Sequence, residues 1–137
     1  MLTQLLYFSE VRDLGPGGIQ PILEQAREKN SSNGLTGSLL FSQRFFLQCL
    51  EGSREQVTAT FSRVAVDNRH DHVTLMSVHD IDERDFPGWT MGYVSSSPTL
   101  KASLRRFLPT DEFKPEALSS VAATALMKLL RRMEPPA

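Results

Sequence analysis

Six consecutive residues, Phe45 to Leu50, read FFLQCL and set the strongest limit on how this chain can fold. In an extended strand, Phe46, Gln48 and Leu50 share one face while Phe45, Leu47 and Cys49 share the other. Apolar groups on both faces require cover on both sides, which puts this strand at the centre of a layered protein. Gln48 alone interrupts the run. An amide left unpaired in such a core costs about 1–3 kcal/mol, so Gln48 must find a partner.

The flanking sequence supplies the rest of the sheet. Met1 to Ser9 alternates Leu5, Tyr7 and Ser9 against Leu6 and Phe8, the period of a first strand. The connection VRDLGPGGIQP leads to Pro21, suited to a first helical turn because the N–H it lacks would have no partner there. Ile22, Ala26 and Asn30 then fall at i+4 steps on one face, and Gly34 closes the helix in NSSNG. LTGSLLFSQRFFLQCLE reads as two strands about a turn near Ser42–Arg44. Ser53 caps a second helix with Gln56 three residues on, and Val57, Phe61 and Val64 form its apolar stripe. HVTLMSVHDI and WTMGYVSS are two further strands, joined by DERDFPG.

This order predicts an α+β fold, a ferredoxin-like βαββαβ sandwich with an extra strand, over residues 1–96. Residues 97–137 form a C-terminal extension with two predicted helices, Thr99 to Leu108 and Pro115 to Met133. The second carries a stripe of Leu118, Ala122, Ala125, Leu126, Leu129 and Met133. The core helices cover one sheet face; the extension is the candidate cover for the other, or a contact for a partner subunit.

A chain of 137 residues is the size of one domain able to bury a core without metal or disulfide staples. Its net charge of −1, with no basic stripe, gives no footprint for direct nucleic-acid binding. Cys49 is the single cysteine, which excludes an internal disulfide and a thiolate metal cluster, and RHDH lacks a metal-ligand spacing. The N-terminus has no basic region, and no run reaches the ~20 apolar residues of a membrane span. The expectation is a cytoplasmic protein without signal peptide or membrane anchor.

If the first and third strands are neighbours, Tyr7 and Gln48 meet, with Asn30 arriving from the helix above. These groups can satisfy one another and nearby backbone. They can equally line a pocket for a planar heterocycle with an alternating donor–acceptor edge, because each amide offers both a donor and an acceptor. Position alone leaves both readings open.

The segments LLYFS, AREKN, NGLTGSLLF, FFLQCLEG, VDNRH and RDFPGWTMG, in this order, resemble the BLUF family of flavin-binding blue-light sensors. The resemblance implies a flavin, normally FAD with FMN or riboflavin as variants, held non-covalently between the two core helices. Tyr7 matches the tyrosine that gives an electron and a proton to the excited flavin, and Gln48 the glutamine that links it to the flavin. Asn30 matches the asparagine bonded to the pyrimidine side, with Lys29, Ile22 and Phe46 near the cofactor and Ser9 near Gln48. Arg63, Asp67, Arg69 and His70 match positions by the dimethylbenzene edge, ribityl chain or phosphates. For Arg63 and Asp67 a surface ion pair one turn apart is the plain alternative.

Trp89 and Met91, on one face of the last core strand by this reading, match the pair through which the site reaches the C-terminal helices. The resemblance thus implies a stand-alone photoreceptor rather than an enzyme, signalling to an unidentified effector protein and assembling as a homo-oligomer. The alternative from the enzyme class is a small acylphosphatase-like hydrolase, with the loop VRDLGPGG as phosphate cradle and Asn30 positioning water. A purely structural interaction module is the third reading.

Overall fold

A computed structural model of the protein describes residues 1–42, 44–95 and 97–131. The elements are β1 (Leu2–Val11), α1 (Gln20–Asn33), β2 (Thr36–Phe41), β3 (Phe45–Gly52), α2 (Arg54–Ala65), β4 (His70–Ile81), β5 (Gly92–Ser95), α3 (Pro98–Leu104) and α4 (Ser120–Arg131). Local chemistry sets their ends. Pro21 lies in the first turn of α1, and Gly34 ends that helix at a φ of 69°, where a side chain would be strained. The Ser53 hydroxyl accepts the Gln56 N–H at 3.2 Å and so caps α2.

The five strands form one sheet in the order β4-β1-β3-β2-β5. The first four are antiparallel neighbours, as a ferredoxin-like βαββαβ core requires, and β5 is added parallel to β2 at the far edge. Every residue of β3 is buried. Alternate side chains of the sheet feed two apolar layers. Leu5, Tyr7, Leu39, Phe46, Leu50 and Met91 pack in one, with Leu23 of α1 and Val57 of α2. Leu6, Leu40, Leu47 and Cys49 pack in the other with Leu100, Leu104, Leu126 and Leu130 of α3 and α4. The C-terminal helices therefore roof the face that α1 and α2 leave open.

The second half of the chain departs from the expected boundaries. The last strand begins at Gly92 rather than Trp89, because the carbonyls just before it serve other donors. Trp89 O accepts the Gly37 N–H, Thr90 O accepts Asn30 Nδ2, and Met91 O accepts Arg27 Nε. Consequently Trp89 and Met91 do not share a strand face; they fall in the two different layers. The last helix begins at Ser120 rather than Pro115: Pro115–Ala117 is a 3-10 turn and Leu118 is extended. That break resets the helical phase, so the buried stripe is Ala123, Leu126, Met127 and Leu130, while Ala125 faces solvent. Met133 lies outside the described residues. The third helix ends at Leu104, and the following turns carry Leu108 into the same layer.

The segment between β4 and β5 is anchored by a carboxylate. Glu51, at the end of β3 and fully buried, accepts the Asp85 N–H at 2.8 Å and the Phe86 N–H at 3.0 Å. It also accepts Gln4 Nε2 at 2.9 Å and Thr36 Oγ1 at 3.2 Å. Four donors on one carboxylate compensate its removal from water. Asp85 in turn takes the second Gln4 N–H at 2.8 Å and faces Lys128 of α4 at 3.5 Å.

Candidate functional site

Tyr7 and Gln48 are register partners across β1 and β3, both directed toward α1 and α2. The Tyr7 hydroxyl donates to Gln48 Oε1. Gln48 Nε2 donates to the Met91 sulfur at 3.5 Å, a weak acceptor that leaves most of the donor capacity of this amide unspent. The partner that Gln48 requires is thus Tyr7, with Met91 behind it.

Above this pair a solvent-open cleft of about 100 Å³ separates the two core helices. Ile22, Ala26 and Lys29 line it from α1, Thr60, Arg63 and Val64 from α2, and Leu39 and Phe46 from the sheet. Asn30, 2% exposed, donates Nδ2 to Thr90 O at 2.6 Å, and among the described residues its Oδ1 accepts nothing. Two nearly buried carboxamides, one with a free acceptor and one with a free donor, therefore face an otherwise apolar slot. That combination suits the polar edge of a flat heterocycle.

The mouth of the cleft is cationic. Lys29, Arg63 and Arg69 stand against the single carboxylate of Asp67. The alternative ion pair between Arg63 and Asp67 is not formed among the described residues; Arg69 takes Asp67 at 2.5 Å, and Arg63 donates to Thr60 Oγ1 at 3.1 Å. The hydrogen bond from Arg69 is the main reason the Asp67 carboxyl is lowered to about 2. Burial, then the charge of Asp67, pushes the Tyr7 phenol well above the usual tyrosine range. Tyr7 therefore keeps its proton at any physiological pH.

His70 also lines the cleft, packed at a tilt against Phe46 with ring centroids 4.6 Å apart and edge-on to Tyr7 at 6.3 Å. Burial holds its imidazole below the usual histidine value, so it is neutral at pH 7. Ser9 stands opposite Phe46, one same-face position along from the Tyr7–Gln48 pair. It lies at a register shift between β1 and β4, and its hydroxyl meets His70 Nδ1 at 2.7 Å.

Of the residues singled out by sequence, Tyr7, Ile22, Lys29, Asn30, Phe46, Gln48, Arg63, Asp67, Arg69 and His70 all line this one cleft. Met91 touches it through Gln48, and Trp89 stands in the opposite layer. Sequence reasoning misses Gln25 and Thr60, which also line it. Helical spacing holds the signal that finds them: Gln25 lies one turn before Lys29, and Thr60 one turn before Arg63. Arg12, in the loop that a phosphate-cradle reading would use, does not line the cleft that holds Asn30. Among the described residues no cluster of His, Cys, Asp or Glu is arranged to hold a metal ion, and no helix is long and apolar enough to cross a membrane.

Residues 2–92 match the family described as BLUF, sensors of blue-light using FAD. Over 92 residues the chain is 33% identical to the photoactivated adenylate cyclase subunit beta of Euglena gracilis, covering 66% of this chain and 11% of that protein. It is 39% identical over 71 residues to the blue light- and temperature-regulated antirepressor BluF of Escherichia coli K12, covering 51% of this chain and 18% of the relative. The chain thus spans less than a fifth of the length of these curated relatives. Among solved structures, BlsA in its photo-activated state superposes with a TM-score of 0.88 at 27% identity, covering 100% of this chain and 99% of the other. The dark-state structure of BlrB gives 0.73 at 29% identity, covering 94% and 96% respectively.

Proposed function

Because the chain belongs to the BLUF family of blue-light sensors that use FAD, we propose that its cleft holds a flavin through Asn30 and Gln48 and that Tyr7 is the light-driven electron donor. The matched region is a sensor domain rather than a catalytic one. Bound between α1 and α2, a flavin supplies blue-light absorption and an excited state able to take an electron. FAD is the expected form, with FMN and riboflavin as variants, and the cations Lys29 and Arg63 suit a phosphate-bearing tail.

With a flavin bound, Tyr7 would be the group that gives up one electron and its Oη proton on excitation and takes both back on return. A neutral phenol suits this role because electron loss acidifies the O–H and the proton follows. Its raised pKa keeps that proton in place in the dark. Gln48 is the element that changes. Its carboxamide accepts from Tyr7 through one end and donates to Met91 through the other, so exchanging the two ends alters both contacts together. Met91 continues into β5, and the extension at residues 97–137 carries the altered packing to an effector protein or a second copy. Such a signal is a shift between two states that the partner tells apart.

The single observation that carries this reading is the Tyr7–Gln48 hydrogen bond at the base of an amide-edged cleft. The test is the absorption spectrum of the purified protein before and after blue illumination, with the pigment extracted and identified. A yellow protein with a reversible red shift is expected, and Tyr7→Phe should keep the pigment and lose the shift. A shift that persists in this variant overturns the role of Tyr7.

A further inference from the structure

Thr90 and Met91 lie between two sheet contacts, Trp89 O with the Gly37 N–H of β2 and Gly92 opposite Ser38. Two side chains of α1 hold the carbonyls between those contacts. Asn30 Nδ2 donates to Thr90 O at 2.6 Å, and Arg27 Nε donates to the next carbonyl, Met91 O, at 3.1 Å. They lie one turn apart on one helix and hold consecutive carbonyls of one strand entry. From the sulfur of that same Met91, Gln48 takes its second contact.

We propose that Arg27 is a positioning residue for the switch: by fixing the Met91 carbonyl to α1, it sets where the Met91 sulfur stands relative to Gln48. This inference rests on the assignment of Gln48 and Met91 to the light response and adds the residue that governs their contact. Arg27 does not line the cleft, so it acts on Gln48 only through Met91. The guanidinium suits the task because Nε lies within its rigid planar fork, and a hydrogen bond from it fixes direction as well as distance. A lysine keeps the charge and loses that geometry. Asn30 does not duplicate this contact, since it holds the preceding carbonyl.

The test uses flavin-loaded protein in three forms: wild type, Arg27→Met, which keeps the aliphatic stem, and Arg27→Lys. With the Met91 methyl and the Gln48 side-chain amide isotopically labelled, both resonances are followed by NMR in the dark, without any photochemistry. Both should move or broaden in the two variants. Flavin content and the size of the red shift should match wild type, while dark recovery should change about tenfold, the effect of losing one hydrogen bond of ordinary strength. Lysine should fail to rescue. Unchanged Met91 and Gln48 resonances with unchanged recovery in both variants would overturn the proposal, even with the wild-type red shift intact. Loss of the red shift in wild type would instead remove the reading on which it rests. A measurement on wild type alone guards against misfolding of the variants: the Arg27 Nε–H should exchange slowly and show scalar coupling to a 13C-labelled Met91 carbonyl. Absence of both signs equally overturns the proposal.

Discussion

Trp89 and Met91 are separated by one residue and serve opposite layers of the protein. The indole lies against the backbone of Gly92 within the layer roofed by α3 and α4, whereas the Met91 sulfur meets Gln48 on the side of α1 and α2. A displacement of Met91 therefore acts on a segment whose other side chain is embedded beneath the C-terminal helices.

Gly92→Ala probes that arrangement. An added Cβ would stand 1.7 Å from Cε3 of Trp89, so the ring must leave its place. The variant should lose on the order of 1–3 kcal/mol in urea unfolding, the usual cost of overpacking. Trp89 is the single tryptophan, so its emission reports directly, moving to longer wavelength and becoming open to quenchers. Unaltered emission would show that the ring tolerates the methyl.

Gln48→Leu removes the acceptor of the Tyr7 hydroxyl inside the core. A stability loss of about 1–3 kcal/mol is expected for the orphaned phenol. Flavin should still bind through Asn30 and the apolar walls, and the red shift should vanish. Difference spectroscopy before and after blue light is the check.

Glu51→Ala strips the acceptor from two backbone N–H groups and one amide of Gln4, all facing a fully buried position. Each unpaired donor costs about 1–3 kcal/mol, so the variant should unfold at much lower urea than wild type. Glu51→Gln retains a single acceptor oxygen and should fall between the two. Equal midpoints for all three proteins would contradict the anchoring role.

Stability should fall in two stages on acidification. His70 is held below its ordinary value of 6.5 by burial, so the unfolded chain binds that proton first and stability declines as pH drops below 6.5. Asp67 is lowered from 3.8 to about 2, chiefly by the hydrogen bond from Arg69. Its contribution is complete above the unfolded value and is lost as pH falls toward the folded one. Melting temperatures from neutral pH down to the folded value of Asp67 should show both stages; His70→Gln should flatten the first and Asp67→Asn the second.

Periodicity made the core legible because burial imposes it. The alternation in β1 and the two-faced apolar run in β3 have no other stable solution than a covered sheet, and the pairing of Tyr7 with Gln48 follows from their adjacency. Hydrophobic pattern was blind wherever hydrogen bonds outweighed it. WTMGYVSS alternates like a strand, yet Asn30 and Arg27 claim carbonyls at its start. The Ser9–His70 contact lies beside a register shift between β1 and β4 that leaves no mark in composition. Pro115 resembles a helix start, but the buried Leu118 demands an extended backbone three residues later.

The double burial of β3 has a consequence for engineering. Gln48 looks into the cleft while Leu47 and Cys49, its immediate neighbours, look into the roof of α3 and α4. One backbone is thus a party wall between two rooms. A chimera that grafts a foreign output segment onto this sensor must reproduce the relief seen by Leu47 and Cys49, or the misfit will be felt one residue away at the carboxamide of Gln48.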